Sequence, residues 1–573
     1  MPGVVVVAGK TARRNRADLG GRVRRGGVGS GALVLTEEIR WVLRNARLHA
    51  ADPALRSAAG FAQGAGRATP VHRAQVGRWE GGGVDVSRAL VRRYESVLEL
   101  PEGQLLSAID LFARSHDPIR PAAALPPRGQ PDVGATLELL ERALGDDRMT
   151  GLDWDRLYDH LGRMPHAVVR SSDWEALLRR LLQEVGLCLY LEYAQRTEAL
   201  ARLAGHPRSG GVVARLAAEA VARPDAQFYN DTLSLLQYTR DPQALSVMLD
   251  QLRDPTSSSA LRSCLIVLTT LVRGTRLDVD VRREAVRLAV QHLRDPGHSY
   301  LVHRGAANLV RALGPASQRL ANVLTAEDRR AAASIIRDGR AVSAQAVREA
   351  QKRIKAVLEA GEGRAAAGEP VLAALLQTAL GQTNEEDRDN ALGILMLSPQ
   401  SRIIGRVHAA AFSAAVDEGD LVVAHEAVSV LLWVGQPEDL DMFERVALSP
   451  STPCSLAMQA AYVVGNTVEP ATRRRDERET SFARRAAEVV ATGSTAAGNE
   501  DTELLRGLVY VLGMRGRRDL LTALQDALPV PGDDPVAMPE IARGILGWWL
   551  AVPEHVRPLA ADGTLVGDPA TGR

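Results

Sequence analysis

Residues 71–82 read VHRAQVGRWEGG and bring together side chains that suit hydrogen bonding to nucleic-acid bases. A short helical pattern carries His72, Arg73, Gln75 and Arg78 and is stopped by two glycines. Arginine fits the two acceptors on the guanine edge, and glutamine fits the donor and acceptor on the adenine edge. The chemistry that this stretch offers is therefore recognition of base edges.

A second amphipathic run, SRALVRRYESVLEL over residues 87–100, follows and leads into Pro101-Glu102-Gly103. Together the two stretches resemble the second half of the Cro/repressor (XRE) helix-turn-helix domain. In that family a recognition helix ends in Trp-Glu and is followed by a core helix. The resemblance covers about residues 37–112 and implies a small all-α domain that binds double-stranded DNA.

The resemblance also implies roles for single residues. Trp79 would fill the core beside the recognition helix. Glu80 would pair with an arginine of the first helix, with Arg47 as the first choice and Arg44 as the second, and so orient the helices. The remaining implied contacts are base edges for His72, Arg73, Gln75 and Arg78, and phosphates for Arg67 and Thr69 at the turn before the helix.

The chain departs from the family in the middle of this region. The second helix is rich in glycine, and about four extra residues separate Phe61 from Trp79-Glu80. These departures bear on the angle at which the helices dock. A domain that keeps the fold but has lost its affinity for DNA is therefore the alternative.

The elements that must position these residues follow from periodicity and capping signals. Thr36 before an apolar stripe predicts a first helix to about Ala50, and residues 54–63 predict a weaker second helix. Thr69-Pro70 fits an N-cap followed by a proline at the first helical position, which predicts the start of the third helix. A fourth and a fifth helix are expected at about 87–100 and 104–112.

Beyond this unit the sequence predicts a linker and then a helical repeat. Residues 117–134 are rich in proline and would separate a domain at 34–116 from a repeat region at 135–555. Leu252-Arg253-Asp254-Pro255 recurs as Leu293-Arg294-Asp295-Pro296, 41 residues later. Aspartate can cap the coming helix while proline ends the previous one. This period indicates HEAT- or armadillo-like repeats, with an irregular helical bundle as the alternative.

Three other segments are expected to lack regular structure. Residues 1–33 are rich in Gly and Arg and have no periodicity, which predicts a disordered leader. Residues 556–573 are interpreted as a disordered tail. Residues 471–502 are charged and then rich in Ala, Gly and Thr, which predicts a mobile loop.

The charge distribution and the cysteines limit the kinds of function that the chain can have. The net charge of +1 divides into +8 for residues 1–120 and −7 for residues 121–573, as expected for a basic DNA reader on a mildly acidic body. Cys188, Cys264 and Cys454 lie far apart in apolar patterns, which indicates core thiols in a reducing, cytoplasmic setting. No apolar run has the length of a membrane span, so no membrane partner is expected.

Motifs for catalysis or metal binding are missing from the sequence. There is no GxxxxGK[ST], HExxH or GxSxG pattern. His292, His298 and His303 are close in sequence, but their spacing does not place them on one helix face, so they are interpreted as surface histidines. We therefore expect no enzyme activity, no cofactor and no metal site.

The sequence as a whole predicts an all-α protein: a small helix-turn-helix domain plus a HEAT-like α-solenoid. The first hypothesis is a sequence-specific transcription regulator whose solenoid binds a protein or peptide, or forms a homodimer to read a two-fold site. The alternative is a non-enzymatic helical-repeat scaffold in which the N-terminal unit no longer reads DNA.

Overall fold

The computed structural model of the chain describes residues 35–82, 84–119, 124–125, 130–164, 169–239, 241–274, 277–314, 330–362, 369–469, 472–493, 500–531 and 537–557. Within these ranges the regular elements are helices, and no residue is in a strand. The prediction of an all-α protein is therefore confirmed. The predicted leader and most of the predicted tail lie outside the described residues.

Five helices form the N-terminal unit. They are α1 (Leu35–Leu48), α2 (Ala58–Ala62), α3 (Arg73–Gly81), α4 (Arg88–Leu98) and α5 (Gln104–His116). Amphipathic stripes and caps fix α1, α4 and α5 close to the predicted bounds. The Ser87 side chain, for example, accepts a hydrogen bond from the backbone N–H of Leu90 at the start of α4.

The middle of the unit differs from the prediction. The expected helix at 54–63 is split into a 3₁₀ turn, Pro53–Arg56, and the short α2. Ser57 is extended and caps α2 through the backbone N–H of Gly60. Thr69-Pro70 does not open the third helix, because His72 is the N-cap and its Nδ1 accepts a hydrogen bond from Ala74. Gly82, at φ +100°, ends α3 in the left-handed region that favours glycine.

The remaining helices form one long array. Its first part comprises α6 (Val133–Leu144), α7 (Gly151–Gly162), α8 (Ser171–Val185), α9 (Tyr190–Ala204), α10 (Gly210–Val221), α11 (Tyr229–Ser234), α12 (Pro242–Arg253), α13 (Ser258–Gly274), α14 (Val279–Arg294), α15 (Tyr300–Ala312) and α16 (Arg330–Asp338). Its second part comprises α17 (Ala344–Glu362), α18 (Pro370–Gly381), α19 (Glu385–Met396), α20 (Ser401–Glu418), α21 (Leu421–Val434), α22 (Leu440–Leu448), α23 (Cys454–Asn466), α24 (Arg473–Thr492), α25 (Asp501–Met514), α26 (Arg518–Asp526) and α27 (Met538–Ala551).

Helices of the array stack as in a solenoid, on the next helix and on the helix two positions further along. Thus α11 packs on α13 and α13 on α15, while α10 packs on α12 and α12 on α14. The same alternation continues from α19 through α21, α23 and α25 to α27. Successive helices therefore fall into two layers, and the predicted helical-repeat architecture is confirmed.

The Asp-Pro turns work differently from the expectation at two of three places. Asp241 is the N-cap of α12 and Pro242 is its first residue, as the capping argument requires. Asp254 and Asp295 instead follow the ends of α12 and α14. The next helices are capped by serine, since Ser257 accepts from Ala260 and Ser299 from Val302.

The predicted loop at 471–502 is wrong for most of its length, because α24 spans twenty of its residues. Two arginine–glutamate pairs one turn apart support this charged helix, Arg473 with Glu477 and Arg475 with Glu479. Its apolar residues, such as Phe482, are buried.

The array returns on itself at its C-terminal end. Phe228, in the loop before α11, packs edge-on against Trp548 of α27, with 5.0 Å between ring centroids. Trp549 donates its indole N–H to Gln227 at 3.1 Å. Arg148 donates to the carbonyl of Arg557 at 2.7 Å. We call this contact region the seam. In it, residues 223–231 and the turn between α6 and α7 contact residues 538–557.

The N-terminal unit is built into the array rather than tethered to it. Its core residues form one buried cluster with residues of α17 to α21, including Ile354 and Ile404. Asn45 and Gln400 exchange side-chain hydrogen bonds of 3.0 and 2.9 Å. Of the predicted linker, the described Leu125 accepts a hydrogen bond from Arg88 at 2.7 Å. The proline-rich segment therefore does not separate two independent cores.

Candidate functional site

The face of α3 that the sequence singles out is largely open to solvent. Arg67, Thr69, His72, Arg73 and Arg78 are exposed, and Gln75 is half-buried. The helix itself packs on α1 and α2. The side chains proposed to meet base edges thus stand on the surface, on the helix where they were expected.

The position of α3 is fixed by a buried polar cluster beneath it. Arg47 donates two hydrogen bonds to the carboxylate of Glu80, both at 2.7 Å, and Tyr94 donates to the same carboxylate at 2.9 Å. Trp79 is buried next to Tyr94, with ring centroids 6.3 Å apart. Arg44, the second candidate for Glu80, pairs with Glu369 instead. Burial, reinforced by the charge of Glu80, raises the pKa of Tyr94.

The two residues at the turn before α3 are already engaged within the unit. Arg67 forms an ion pair with Glu99, just after the end of α4. The carbonyl of Thr69 accepts a hydrogen bond from Arg93 at 2.5 Å. Arg73 and Arg78 have no ion pair with any described residue, so they are the cations of this face that are free to meet another molecule.

A second candidate site is a cavity of about 290 Å³ that lies between helices of the array and is partly open to solvent, and we call it the central cavity. It is bordered by the seam residues Gln227 and Phe228. Its walls come from the following helices: α8, α9, α11, α13, α15, α19, α21, α23 and α25. Most of these are the odd-numbered helices, so the layer that they form faces the central cavity.

The lining of the central cavity is aromatic and polar. Five of the nine tyrosines of the chain border it, together with Phe228 and Trp433, although aromatic residues are only 4% of the sequence. The five are Tyr190, Tyr193, Tyr229, Tyr462 and Tyr510. Amide and hydroxyl side chains, such as Asn230, Ser429 and Gln459, lie between them. Such a mixture is typical of ligand sites, in which apolar surface is combined with a few fixed polar groups.

Arginines of the wall, most of them buried, form ion pairs with buried glutamates. Glu385 accepts from Arg262 at 2.8 Å and from Arg304 at 3.1 Å. Glu426 accepts from Arg388 at 2.6 Å and from Tyr300 at 2.8 Å. Although burial acts against the ionised forms, the nearby arginines hold the pKa values of both glutamates below their usual range.

Two further carboxylates of the lining stand apart from this network. Asp231 and Asp389 are half-buried, and neither forms an ion pair with a described residue. Burial raises the pKa of Asp231 to about 6. Burial, together with the charge of Glu385, raises the pKa of Asp389 to about 7. Burial therefore outweighs the hydrogen bond from Tyr193 at Asp231 and the charge of Arg388 at Asp389, whereas at the wall glutamates the arginines outweigh burial.

Sequence reasoning missed the central cavity because its residues come from distant parts of the chain. The usable signal was charge in apolar helices. Arg304 lies in LVHRGAANLV and Arg506 in LLRGLVYVL, and each is about 2% exposed. A charged residue in such an apolar run needs a buried partner of opposite charge. The partners lie on helices of the layer that borders the central cavity.

The three histidines near residue 300 are not surface residues, so that interpretation is wrong. His292 and His303 are buried, and His298 lies between them. The Nδ1 of His292 is 2.9 Å from the Nε2 of His298. They converge because the turn between α14 and α15 folds back over the end of α14. No group of three or more His, Cys, Asp or Glu side chains in the described ranges has the geometry of a metal site.

The cysteines lie within or beside the packed array. Cys188 and Cys264 are buried, and Cys454 is half-buried with its Sγ 3.6 Å from Asp501. Burial raises the pKa of Cys188 to about 12 and that of Cys454 to about 11. In the part of the chain that is described, no helix is both long and apolar enough to cross a membrane.

No family model matches the chain, and no curated protein matches it. Among solved structures, it is similar to an engineered protein at 15% identity, over 73% of this chain and 100% of the other, with a TM-score of 0.20. It is also similar to the karyopherin Kap121p in two complexes. The complex with the extreme C-terminus of the protein phosphatase Cdc14p gives 12% identity over 90% of this chain and 60% of the other, with a TM-score of 0.20. The complex with Nup53p gives 14% identity over 89% and 50%, with a TM-score of 0.21.

Proposed function

We propose that this chain is a non-enzymatic helical-repeat scaffold that binds a segment of a protein or peptide in the central cavity. The observation that carries the proposal is the lining of that cavity. A repeat protein that only needed stability would fill this space with apolar side chains, since unpaired polar groups in the interior cost free energy. Here the space is left open and is bordered by tyrosines, amides and two carboxylates that form no ion pair with a described residue.

The charged and thiol groups around the described cavity favour binding. The arginines of the wall are occupied by glutamates, and the thiol of Cys188 has a raised pKa that keeps it protonated. A peptide bound here would meet rigid helices from both parts of the array. Its affinity would come from aromatic contact and from hydrogen bonds to amide side chains.

Peptide display with the full chain tests this proposal. Short random peptides should be enriched by the parent protein and lost with Asn230→Trp, because Asn230 is exposed on the cavity side and a tryptophan there fills the space. Arg283→Trp, on the exposed side of α14, is the matched control and should keep the enriched peptides. Equal enrichment by all three proteins would reject the central cavity as the binding site.

A second function is favoured by a separate observation, the free face of α3. We propose that this face binds double-stranded DNA through Arg73 and Arg78, with His72 and Gln75 as further base contacts. Its support is that the two arginines are exposed and lack ion pairs among the described residues. Selection from randomised duplexes tests this second function.

A further inference from the structure

In the lining of the central cavity the arginines are ion-paired, whereas the carboxylates of Asp231 and Asp389 form no ion pair with a described residue. Its arginines are held by the wall glutamates: Arg388, for example, lies 2.6 Å from Glu426 and is 2% exposed. Arg506 is held in the same way by Glu503 at 2.8 Å. Asp231 and Asp389 have no such partner among the described residues, and both keep some surface towards the space. An anionic ligand would therefore find only arginines that are already ion-paired, whereas a cationic ligand would find two carboxylates that lie outside any ion pair of the described residues.

Aromatic rings stand around these carboxylates. Tyr193 packs edge-on against Trp433 with centroids 5.8 Å apart, and Tyr462 packs against Tyr510 at 4.8 Å. Burial raises the pKa of Tyr193, Tyr462 and Tyr510, and the charge of Asp231 adds to the shift of each. Asp231 is thus within electrostatic reach of tyrosines on α9, α23 and α25, on different walls of the cavity.

We propose that the central cavity recognises an organic cation, an ammonium or guanidinium group, held between Asp231, Asp389 and the tyrosine faces. This inference rests on the proposed function and deepens it, since a lysine or arginine side chain of the bound peptide would deliver the cation. A cation above an aromatic ring is attracted by the electrons of the ring face, and the attraction grows when water is excluded. The carboxylates add the opposite charge that a buried cation needs.

Calorimetric titration of the full chain tests the inference. The probes are N-acetyl-lysine-methylamide, its neutral counterpart N-acetyl-norleucine-methylamide and the free diamine putrescine. The lysine probe should bind and the norleucine probe should not. Asp231→Asn should weaken the lysine probe about tenfold or more, which corresponds to about 1.4 kcal/mol. Asp280→Asn, at a site where the carboxylate is 82% exposed, is the control and should bind like the parent.

A pair of variants distinguishes the contribution of the aromatic ring to binding from a general effect on folding. Tyr462→Phe keeps an aromatic face and should bind the lysine probe about as well as the parent does. Tyr462→Leu removes the face and should lose roughly threefold or more in affinity. Equal binding of the lysine and norleucine probes overturns the inference, and so does equal weakening by Asp231→Asn and Asp280→Asn.

Two further comparisons show whether the cation is a free amine or a peptide side chain, and whether the cation inference and the proposed function fail separately. If putrescine competes with the lysine probe at equal or lower concentration, the cation is a free amine; if a lysine-containing peptide competes better, it is a side chain. If the peptides that Asn230→Trp loses carry no basic residue, the proposed function stands and the cation inference falls. If no peptide is enriched but the lysine probe binds and Asp231→Asn weakens it, the cation inference stands and the proposed peptide binding falls.

Discussion

Arg47 on α1 and Glu80 at the end of α3 form a two-point ion pair in which both N–O distances are 2.7 Å and both side chains are about 8% exposed. The pair joins the first helix of the N-terminal unit to the helix that carries the exposed arginines. A buried pair of this geometry contributes little net free energy against an apolar replacement, but it costs much to break on one side. Its role is therefore to fix the angle of α3.

Arg47→Ala should destabilise the chain by about 3–5 kcal/mol, because Glu80 would be left buried without its cation. Arg44→Ala is the matched control on the same helix. Arg44 is 35% exposed and pairs with Glu369, so its removal should cost about 0–1 kcal/mol. Urea unfolding of both variants measures the difference. A destabilisation by Arg47→Ala no larger than that by Arg44→Ala would contradict the assigned role.

The α3 face predicts a defined effect on DNA selection. With the parent chain, randomised duplexes should yield a consensus. Arg73→Ala and Arg78→Ala together should remove it, because each arginine that no longer reads a base should weaken specific binding by about 1–3 kcal/mol. Arg283→Ala and Arg287→Ala, both on the exposed side of α14, change the total charge equally and should leave the consensus intact. No enrichment by the parent at low salt would leave the scaffold as the only supported function.

Asp389 predicts a dependence of stability on pH. Its pKa is raised to about 7 by burial, helped by Glu385 and opposed by Arg388. The folded state then binds the proton more tightly than the unfolded state, whose pKa is about 3.9. This contribution to stability is complete below about pH 4 and is lost as the pH rises through 7. Asp389→Asn should therefore be more stable than the parent at pH 8, by about 4 kcal/mol at most, and the gap should narrow to about 1–2 kcal/mol at pH 5.

Thermal unfolding of both proteins between pH 5 and pH 8 measures this gap. Asp280→Asn, at an exposed carboxylate, should show no such change with pH. A constant difference between Asp389→Asn and the parent across this range would show that Asp389 does not titrate with the raised pKa.

Sequence reasoning reached what local physics determines. The periodicity of α1, α4 and α5 and the cap at Ser87 need only neighbouring residues, and these helices lie close to their predicted bounds. It failed where a local signal was outweighed by packing. Thr69-Pro70 is a good start signal, yet α3 begins at Arg73, because residues 69–72 are used to connect α3 to the 3₁₀ turn at Gly64–Gly66.

Non-local arrangement explains the rest. Asn45 meets Gln400 across 355 residues, so nothing near the proline-rich segment reveals that the N-terminal unit is docked. The central cavity likewise depends on which helices become neighbours after the array closes. Asp231 and Tyr462 gain their shared environment only in the folded chain, and a single sequence carries no trace of that proximity.

Two glycines of α27 give a matched test of the closed array. A Cβ at Gly544 would lie 2.0 Å from Oδ2 and 2.6 Å from Cβ of Asp225, in the loop that borders the central cavity. A Cβ at Gly547, one turn later, would meet nothing within 4 Å. Gly547→Ala should therefore stabilise the chain by about 0.5–1 kcal/mol, as alanine does in a helix interior. Gly544→Ala should instead lower the stability, because the seam must separate to make room.

Hydrogen exchange locates the effect. Gly544→Ala should speed exchange in residues 223–231 and at the indole of Trp549, which donates to Gln227. Exchange in α1 and α3 should stay unchanged, since they pack far from the seam on another core. If the seam also controls access to the central cavity, Gly544→Ala should bind the lysine probe faster than Gly547→Ala does. Identical exchange in both variants would mean that α27 does not hold the array closed.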